Sequence, residues 1–233
     1  MATKLDRNPF DVKDFIDPYS GEIVRKYFYK RKPCNRVTIK SKIADQLAGY
    51  ALIEKDLRSC LVWIDEIDRR HDERPKDEKQ RFGQGKNRDN YLIIKGLFVS
   101  ILTFYGKCFA ACEGRRVKLE KNKLDPEFHK AHDEAISYRN NFAAHSGAAK
   151  LERVKVAAVF PDPKNDHLPI RIYTELDQPD VYWPNGANDV SLRDLIEHVR
   201  KIVLEKVEQL YEKISREDAK NSIQEWINKK TKG

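Results

Sequence analysis

From Ser41 to about Arg70, apolar side chains recur at spacings of three and four residues. The series is Ile43, Leu47, Tyr50, Ile53, Leu57, Leu61 and Ile64. This spacing places them on one face of a long α-helix, and an apolar helix face is buried against other elements in a folded protein. The segment therefore predicts a long amphipathic helix with one face in a core.

Three further segments have helical patterns. Residues 91–112 are apolar nearly all round, which is typical of a helix in the middle of a bundle. A third helix is predicted from Asp125, as its N-cap, to Ser146-Gly147. The last long helix begins at Ser191, which resembles a capping box with Asp194. Together the patterns predict a mainly α fold, a bundle of about four main helices.

Before the last long helix the apolar period changes from three and four to two. Val154, Val156 and Ala158 alternate with polar or small residues, and Ile170 and Ile172 continue the alternation after a turn-rich segment. Alternation of this kind indicates half-buried strands. The sequence therefore predicts a β-hairpin at about residues 151–176, inserted before the last helix.

The domain organisation follows from these patterns. Residues 1–40 lack a sustained period and are expected to form an extended basic and aromatic arm, residues 41–218 the bundle with its hairpin, and residues 219–233 an amphipathic basic tail. Residues 71–88 are highly charged and contain Pro and Gly, which predicts a mobile loop within the bundle.

Charge and apolar runs bear on partners and location. The chain has 45 Lys and Arg against 37 Asp and Glu, a net charge of +8, which attracts polyanions such as nucleic acid. The longest uncharged apolar run, Gly96 to Gly106, is about half the length needed to cross a bilayer. The 4 cysteines contain no Cys-x-x-Cys pair. We expect a cytoplasmic protein with reduced thiols and no membrane association.

The arm contains a run, Arg25 to Lys32, in which aromatic residues lie among cations. Such a composition suits stacking on bases while neutralising phosphates. The predicted RNA-binding residues are Arg25, Lys26, Tyr27, Tyr29, Lys30, Arg31 and Lys32, with Arg115 and Arg116 as a second basic cluster. The alternative is a basic edge strand whose alternate residues pack on the bundle.

One motif near the end of the third helix combines residue types that occur in catalytic sites. It is Arg139-Asn140, followed after four residues by His145. It resembles the signature of the HEPN superfamily (higher eukaryotes and prokaryotes nucleotide-binding domains), whose members are compact helical bundles with an Arg, a polar residue and a His at a helix end. The resemblance covers about residues 41–215 in layout, and only these few residues in sequence.

The resemblance implies RNA binding and, in catalytic members, metal-independent endoribonuclease activity without a cofactor. It also implies a homodimer whose signature helices meet, and a toxin or defence role held in check by an antitoxin or nucleotidyltransferase partner protein. By this resemblance Arg139 would hold a phosphate and His145 would act as acid or base. Asn140 would orient them, with Asn141 and Tyr138 as supporting residues.

Two alternatives stand beside this hypothesis. The same bundle is also suited to non-catalytic nucleotide or RNA binding, or to protein interaction. In the simplest structural interpretation Arg139 pairs with Asp133 or Glu134, and His145 donates to a carbonyl at the helix C-terminus. His145 follows Arg139 by six positions, so on a straight helix the two side chains point in directions that differ by about 120°. Their convergence requires either a distorted last turn or a two-fold interface.

Other site classes are not predicted. His129 and Asp133 share a helix face without an evident third ligand, so no metal is expected. Cys108 and Cys112 are expected to be packing residues on an apolar helix. The segment Gly83-Gln84-Gly85-Lys86 lacks the strand and helix context of a phosphate-binding loop.

Overall fold

The computed structural model describes residues 10–72, 88–143, 153–160, 170–177 and 190–231. The fold is mainly α-helical, with an antiparallel two-stranded hairpin before the last long helix, as the sequence predicts. The chain forms two compact units, one made of residues 45–211 and one made of residues 1–44 with 212–233. The predicted loop at 71–88 lies almost entirely outside the described residues.

The helices closely follow the predicted segments. They are α1 (Lys42–Asp72), α2 (Arg88–Phe109), α3 (His129–Tyr138), α4 (Leu192–Arg216) and α5 (Asp218–Thr231). Short 3₁₀ turns at Lys121–Lys123 and Pro126–Phe128 precede α3, and a π-helical turn at Arg139–Ala143 follows it.

The core of the larger unit is formed where α1, α2, α3 and α4 meet. Ile53 and Leu57 of the stripe predicted for α1 are fully inaccessible to solvent there, as is the nearby Cys60. The remaining fully buried apolar side chains of this core are Ile101, Leu102, Tyr105, Cys108, Ala135, Leu195, Ile196, Val199 and Val203. The spacing of three and four along α1 therefore marks the face that packs on the other helices.

Helix α2 is the most apolar of the described helices. By length and composition alone its segment Leu92–Phe109, which includes Lys95 and Lys107, would suffice to cross a membrane. In the bundle 39% of this segment is buried. Leu92 and Ile93, near its start, are exposed. The helix is thus central to the core without being buried on every side.

The hydrogen bonds at two helix starts test the N-caps predicted from the sequence. The predicted capping box is confirmed, because the Asp194 N–H donates to Ser191 Oγ at 3.0 Å and the Ser191 N–H donates to Asp194 Oδ2 at 3.0 Å. Asp125 makes no side-chain cap bond. Its carbonyl instead accepts the Phe128 N–H at 3.0 Å, in a 3₁₀ turn. The third α-helix therefore begins later than predicted.

The predicted hairpin is formed by β4 (Arg153–Val159) and β5 (Arg171–Asp177), paired antiparallel with Val156 opposite Thr174. Alternation places Val154, Val156 and Ile172 on one face, and each of these side chains is exposed. The residues that join the two strands, 161–169, lie outside the described part of the chain.

Residues 10–33 form a three-stranded antiparallel sheet in the order β1 (Phe10–Ile16), β2 (Ile23–Tyr29), β3 (Lys32–Pro33). The prediction of an extended arm is therefore wrong. The alternation in β1 is interrupted at Asp14, and that polar residue is accommodated because it pairs with Arg25 on β2 at 2.7 Å. An ion pair across the strands takes the place of an apolar pair.

A buried histidine makes the stability of the bundle depend on pH. His132 is buried, and its Nδ1 is hydrogen-bonded to the Tyr105 hydroxyl at 2.8 Å. Burial lowers the pKa of His132 below its usual value of 6.5. The unfolded chain therefore takes up this proton at a higher pH than the folded chain does.

We expect the free energy of unfolding to be highest above pH 6.5 and to fall as the pH is lowered through the depressed pKa of His132. Urea unfolding of the wild type and of His132→Gln, which keeps an acceptor for Tyr105, measures the difference. The variant should lose less stability between about pH 7.5 and 5.5. Equal losses in the two proteins would contradict this assignment.

Candidate functional site

The signature segment does not continue α3 as a straight helix. α3 ends at Tyr138, and Arg139–Ala143 form a π-helical turn. A π-turn closes with one more residue than an α-turn, and such turns are frequent at functional sites. The prediction of a helix that continues regularly through residues 139–143 is therefore wrong. Residues 144–152, which include His145, lie outside the described part of the chain.

The Arg139 side chain is positioned by a glycine on α2. A Cβ atom at Gly106 would lie 3.1 Å from Arg139 Cγ and 3.2 Å from Arg139 Cδ. The arginine stem thus lies directly across the α2 backbone, at a point where only glycine leaves room without a shift. The guanidinium Nη1 donates to Asn140 Oδ1 at 3.0 Å. Packing below and a hydrogen bond beside it together restrict the rotamers of Arg139.

The charge of Arg139 is not neutralised by the carboxylates near it. Asp133, one of the two partners of the simplest structural interpretation, pairs with Lys121 at 2.6 Å. Within the described ranges, the Arg139 guanidinium forms no ion pair, and its one hydrogen bond goes to the neutral amide of Asn140. A guanidinium has five N–H donors. Most of them have no acceptor among the described residues.

The other predicted residues of this segment divide into two groups. Asn140 is exposed and is joined to Arg139 by the hydrogen bond described above. Asn141 donates to Ser137 Oγ at 3.1 Å, and the Tyr138 ring lies edge-on to Phe98 with 6.4 Å between centroids. Arg139 and Asn140 are therefore brought together, whereas Asn141 and Tyr138 have contacts elsewhere on α3 and α2.

The predicted second basic cluster separates into one buried and one exposed arginine. Arg115 is buried, and its Nη2 lies 2.6 Å from Oδ2 of the fully buried Asp56. Arg116 is exposed and pairs with Asp45. The assignment of Arg115 to an RNA-binding surface is therefore wrong, because its guanidinium is used inside the core.

Asp56 is a fully buried carboxylate that the sequence analysis does not predict. Its Oδ2 also lies 3.3 Å from Lys107 Nζ, and its Oδ1, at 3.4 Å from Lys55 Nζ, accepts no hydrogen bond among the described residues. The available signal is spacing, because Asp56 falls three residues after Ile53 and four before Cys60. A carboxylate on that buried stripe requires a buried cation.

The predicted RNA-binding run Arg25–Lys32 lies on β2 and on the connection to β3. Strand alternation puts Arg25, Tyr27 and Tyr29 on one face and Lys26 on the other. The run is thus not a single surface. The alternative of a basic edge strand is also wrong, because β2 is the central strand of its sheet.

In the described ranges no group of three His, Cys, Asp or Glu side chains is arranged to hold a metal ion. His129 Nε2 is instead 3.1 Å from the Leu124 carbonyl oxygen, which accounts for one of the two histidines of α3. His132 is accounted for by Tyr105. Comparison of the chain with protein-family models, with curated proteins and with solved structures finds no match.

Proposed function

We propose that this protein binds RNA and cleaves it without a metal ion at the turn that contains Arg139, Asn140 and His145. The observation that carries the proposal is Arg139 itself, which opens a π-helical turn, lies across Gly106 and has no carboxylate partner among the described residues. A fixed cation without a counter-ion is suited to a phosphate. The resemblance of the motif to the HEPN signature supplies the reaction type.

In the proposed reaction His145 accepts the proton of a ribose 2′-hydroxyl, whose oxygen attacks the adjacent phosphorus. The bond from phosphorus to the 5′-oxygen breaks, and that oxygen takes up a proton as it leaves. The products are a 2′,3′-cyclic phosphate and a 5′-hydroxyl. Arg139 stabilises the charge that develops on the phosphate oxygens, and Asn140 holds the guanidinium in place.

The proposal extends to partners. We propose a cytoplasmic homodimer in which the two signature turns meet, acting as a toxin or defence ribonuclease that an antitoxin or nucleotidyltransferase partner restrains. Within one chain, Arg139–Ala143 form an irregular turn. A two-fold contact would allow the arginine of one chain to serve the histidine of the other.

The first test is cleavage of a mixed RNA pool by the wild type and by Arg139→Gln in the presence of a chelator. We expect the wild type to produce 2′,3′-cyclic phosphate ends and the variant to lose most of the activity. Arg216→Gln is the matched control, since it removes an exposed arginine that pairs with Glu212, far in sequence from the turn. Binding of RNA without cleavage by any of the three proteins would favour the non-catalytic alternative.

The contact between Gly106 and Arg139 gives a second test. In Gly106→Ala the new methyl group would lie 3.1–3.4 Å from the arginine stem, so the guanidinium must move. We expect the RNA cleavage rate to fall by about tenfold or more, because small displacements of catalytic groups are costly. The melting temperature should change little, since alanine also favours the helix.

Gly96→Ala is the matched control for this experiment. Gly96 lies on the same helix, and a Cβ atom there meets nothing within 4 Å. Its cleavage rate should equal that of the wild type. Equal rates for Gly106→Ala and Gly96→Ala would contradict the role given to Gly106.

A further inference from the structure

The three-stranded sheet presents two chemically different faces. In the register of β1 and β2, Lys13 lies opposite Lys26 and Phe15 lies opposite Val24, and Phe28 shares this face by alternation. We call the surface made by Lys13, Phe15, Lys26 and Phe28 the basic aromatic face. The opposite face carries Phe10, Val12, Asp14, Ile16, Ile23, Arg25, Tyr27 and Tyr29.

The basic aromatic face contains a like-charge pair. Lys13 and Lys26 are direct cross-strand neighbours, an arrangement that destabilises a sheet. Neither lysine forms an ion pair with a carboxylate of the described residues, although Asp11 lies on the same face. Lys13 Nζ lies 5.4 Å from the Phe28 ring centroid, and Lys26 Nζ lies 4.9 Å from the Phe15 ring centroid. Two unneutralised cations and two aromatic rings thus share one small surface.

The opposite face is neutralised. Arg25 donates two hydrogen bonds to the Asp14 carboxylate, at 2.7 and 3.0 Å, and the remaining side chains there are apolar or aromatic. Of the two faces, only the basic aromatic face therefore carries cations without a carboxylate partner among the described residues. The pleat of β2 thus places the adjacent cations Arg25 and Lys26 on opposite faces of the sheet.

The tip of the hairpin between β2 and β3 extends the same positive charge. Its two connecting residues, Lys30 and Arg31, have φ of 45° and 67°, a region in which glycine and asparagine are favoured. Exposed cations occupy both positions, and exposed Lys32 follows them. Backbone strain of this kind persists where the side chains serve a function. The cations at the tip thus point to the same kind of ligand as the like-charge pair.

We propose that the basic aromatic face and the hairpin tip bind single-stranded RNA. Phosphates would lie between Lys13 and Lys26 and along Lys30–Lys32, which relieves the like-charge contact. Unpaired bases would stack on Phe15 and Phe28 in place of the ammonium groups. Paired strands keep their base faces inside the duplex, so the aromatic rings select single strands. The inference takes its ligand from the proposed function and places a docking surface outside the cleavage turn.

The experiment measures binding alone, so that it is independent of cleavage. A short fluorescein-labelled oligouridine with 2′-O-methyl groups cannot react through its 2′-oxygen, and its anisotropy with the full-length protein gives Kd across a range of salt. For single strands the slope of log K against log salt is about −0.7 per phosphate contact. Lys13→Gln with Lys26→Gln should therefore reduce the slope by about 1.4.

Matched controls distinguish the two faces of the sheet, and they distinguish the contribution of charge from that of base stacking. Lys201→Gln with Lys213→Gln removes the same charge from exposed positions on α4 and should leave the slope almost unchanged. Phe15→Leu should weaken binding about fivefold or more through lost stacking. Phe10→Leu on the opposite face should have no such effect. Circular dichroism melts of all variants establish that the sheet mutants are folded.

Three outcomes would overturn the proposal. Equal slopes for the two double lysine variants would remove the docking surface from this face. If Phe15→Leu binds the oligonucleotide as tightly as the wild type does, and heparin binds as tightly as RNA, the face binds polyanions in general and no base stacks on Phe15. Polyglutamate binding as tight as RNA binding would assign the face to an acidic protein. If the wild type fails to cleave unmodified RNA in a separate assay while the binding differences are retained, only the proposed ribonuclease is refuted.

Discussion

Replacing His145 by alanine should lower the rate of RNA cleavage by about 10²–10⁴-fold, the range that a positioned acid or base supplies. RNA binding should be retained, because the phosphate contact belongs to Arg139 in the proposed reaction. Single-turnover cleavage at saturating protein measures the chemical step without product release. The loss should appear in that rate and not in the concentration of protein that gives half saturation.

His71→Ala is the matched control, since His71 lies at the exposed C-terminal end of α1, outside the signature segment. Its cleavage rate should equal that of the wild type. A His145→Ala protein that cleaves at the wild-type rate would exclude the proposed reaction. It would leave RNA binding by Arg139 as the function of the turn.

Removal of the Arg115 guanidinium should destabilise the larger unit by about 3 kcal/mol or more. Asp56 is fully buried, and Arg115 supplies its shortest contact, at 2.6 Å. In Arg115→Met the carboxylate keeps Lys107 at 3.3 Å, a lysine whose side chain is 44% exposed. A buried charge that loses its main partner is costly, and urea unfolding measures that cost.

The neighbouring residue provides the control for this prediction. Arg116→Met removes the same group from an exposed ion pair with Asp45, and the change should stay within about 1 kcal/mol. Combining Arg115→Met with Asp56→Leu should recover much of the lost stability, because no buried charge then remains. Similar losses in Arg115→Met and Arg116→Met would show that burial does not distinguish the two arginines.

The helices were predictable because each has a repeated signal. The stripe from Ile43 to Ile64 gives α1, and the Ser191–Asp194 box gives the start of α4. The third helix was harder to predict. Asp125 has the residue type of an N-cap, yet its segment forms a 3₁₀ turn in which the backbone carbonyl, not the carboxylate, takes the hydrogen bond.

The parts that the sequence did not reveal depend on contacts between distant residues. Asp14 interrupts the alternation of β1, and only its pairing with Arg25 explains why a strand forms there. Arg115 and Arg116 are identical in type and adjacent, and only Asp56 determines which one is buried. The contact of Arg139 with Gly106 of α2 likewise joins residues far apart in sequence, and periodicity along α3 does not encode it.

The central claim is that the 2′-hydroxyl of RNA attacks the phosphate without a metal ion. The most direct measurement compares two oligonucleotides in the presence of a chelator, one all-ribose and one with a single 2′-deoxy substitution at the mapped cleavage position. The account predicts that the first is cleaved to a 2′,3′-cyclic phosphate and that the second is bound equally well and left intact. Cleavage of both at that position, or of neither, would contradict it.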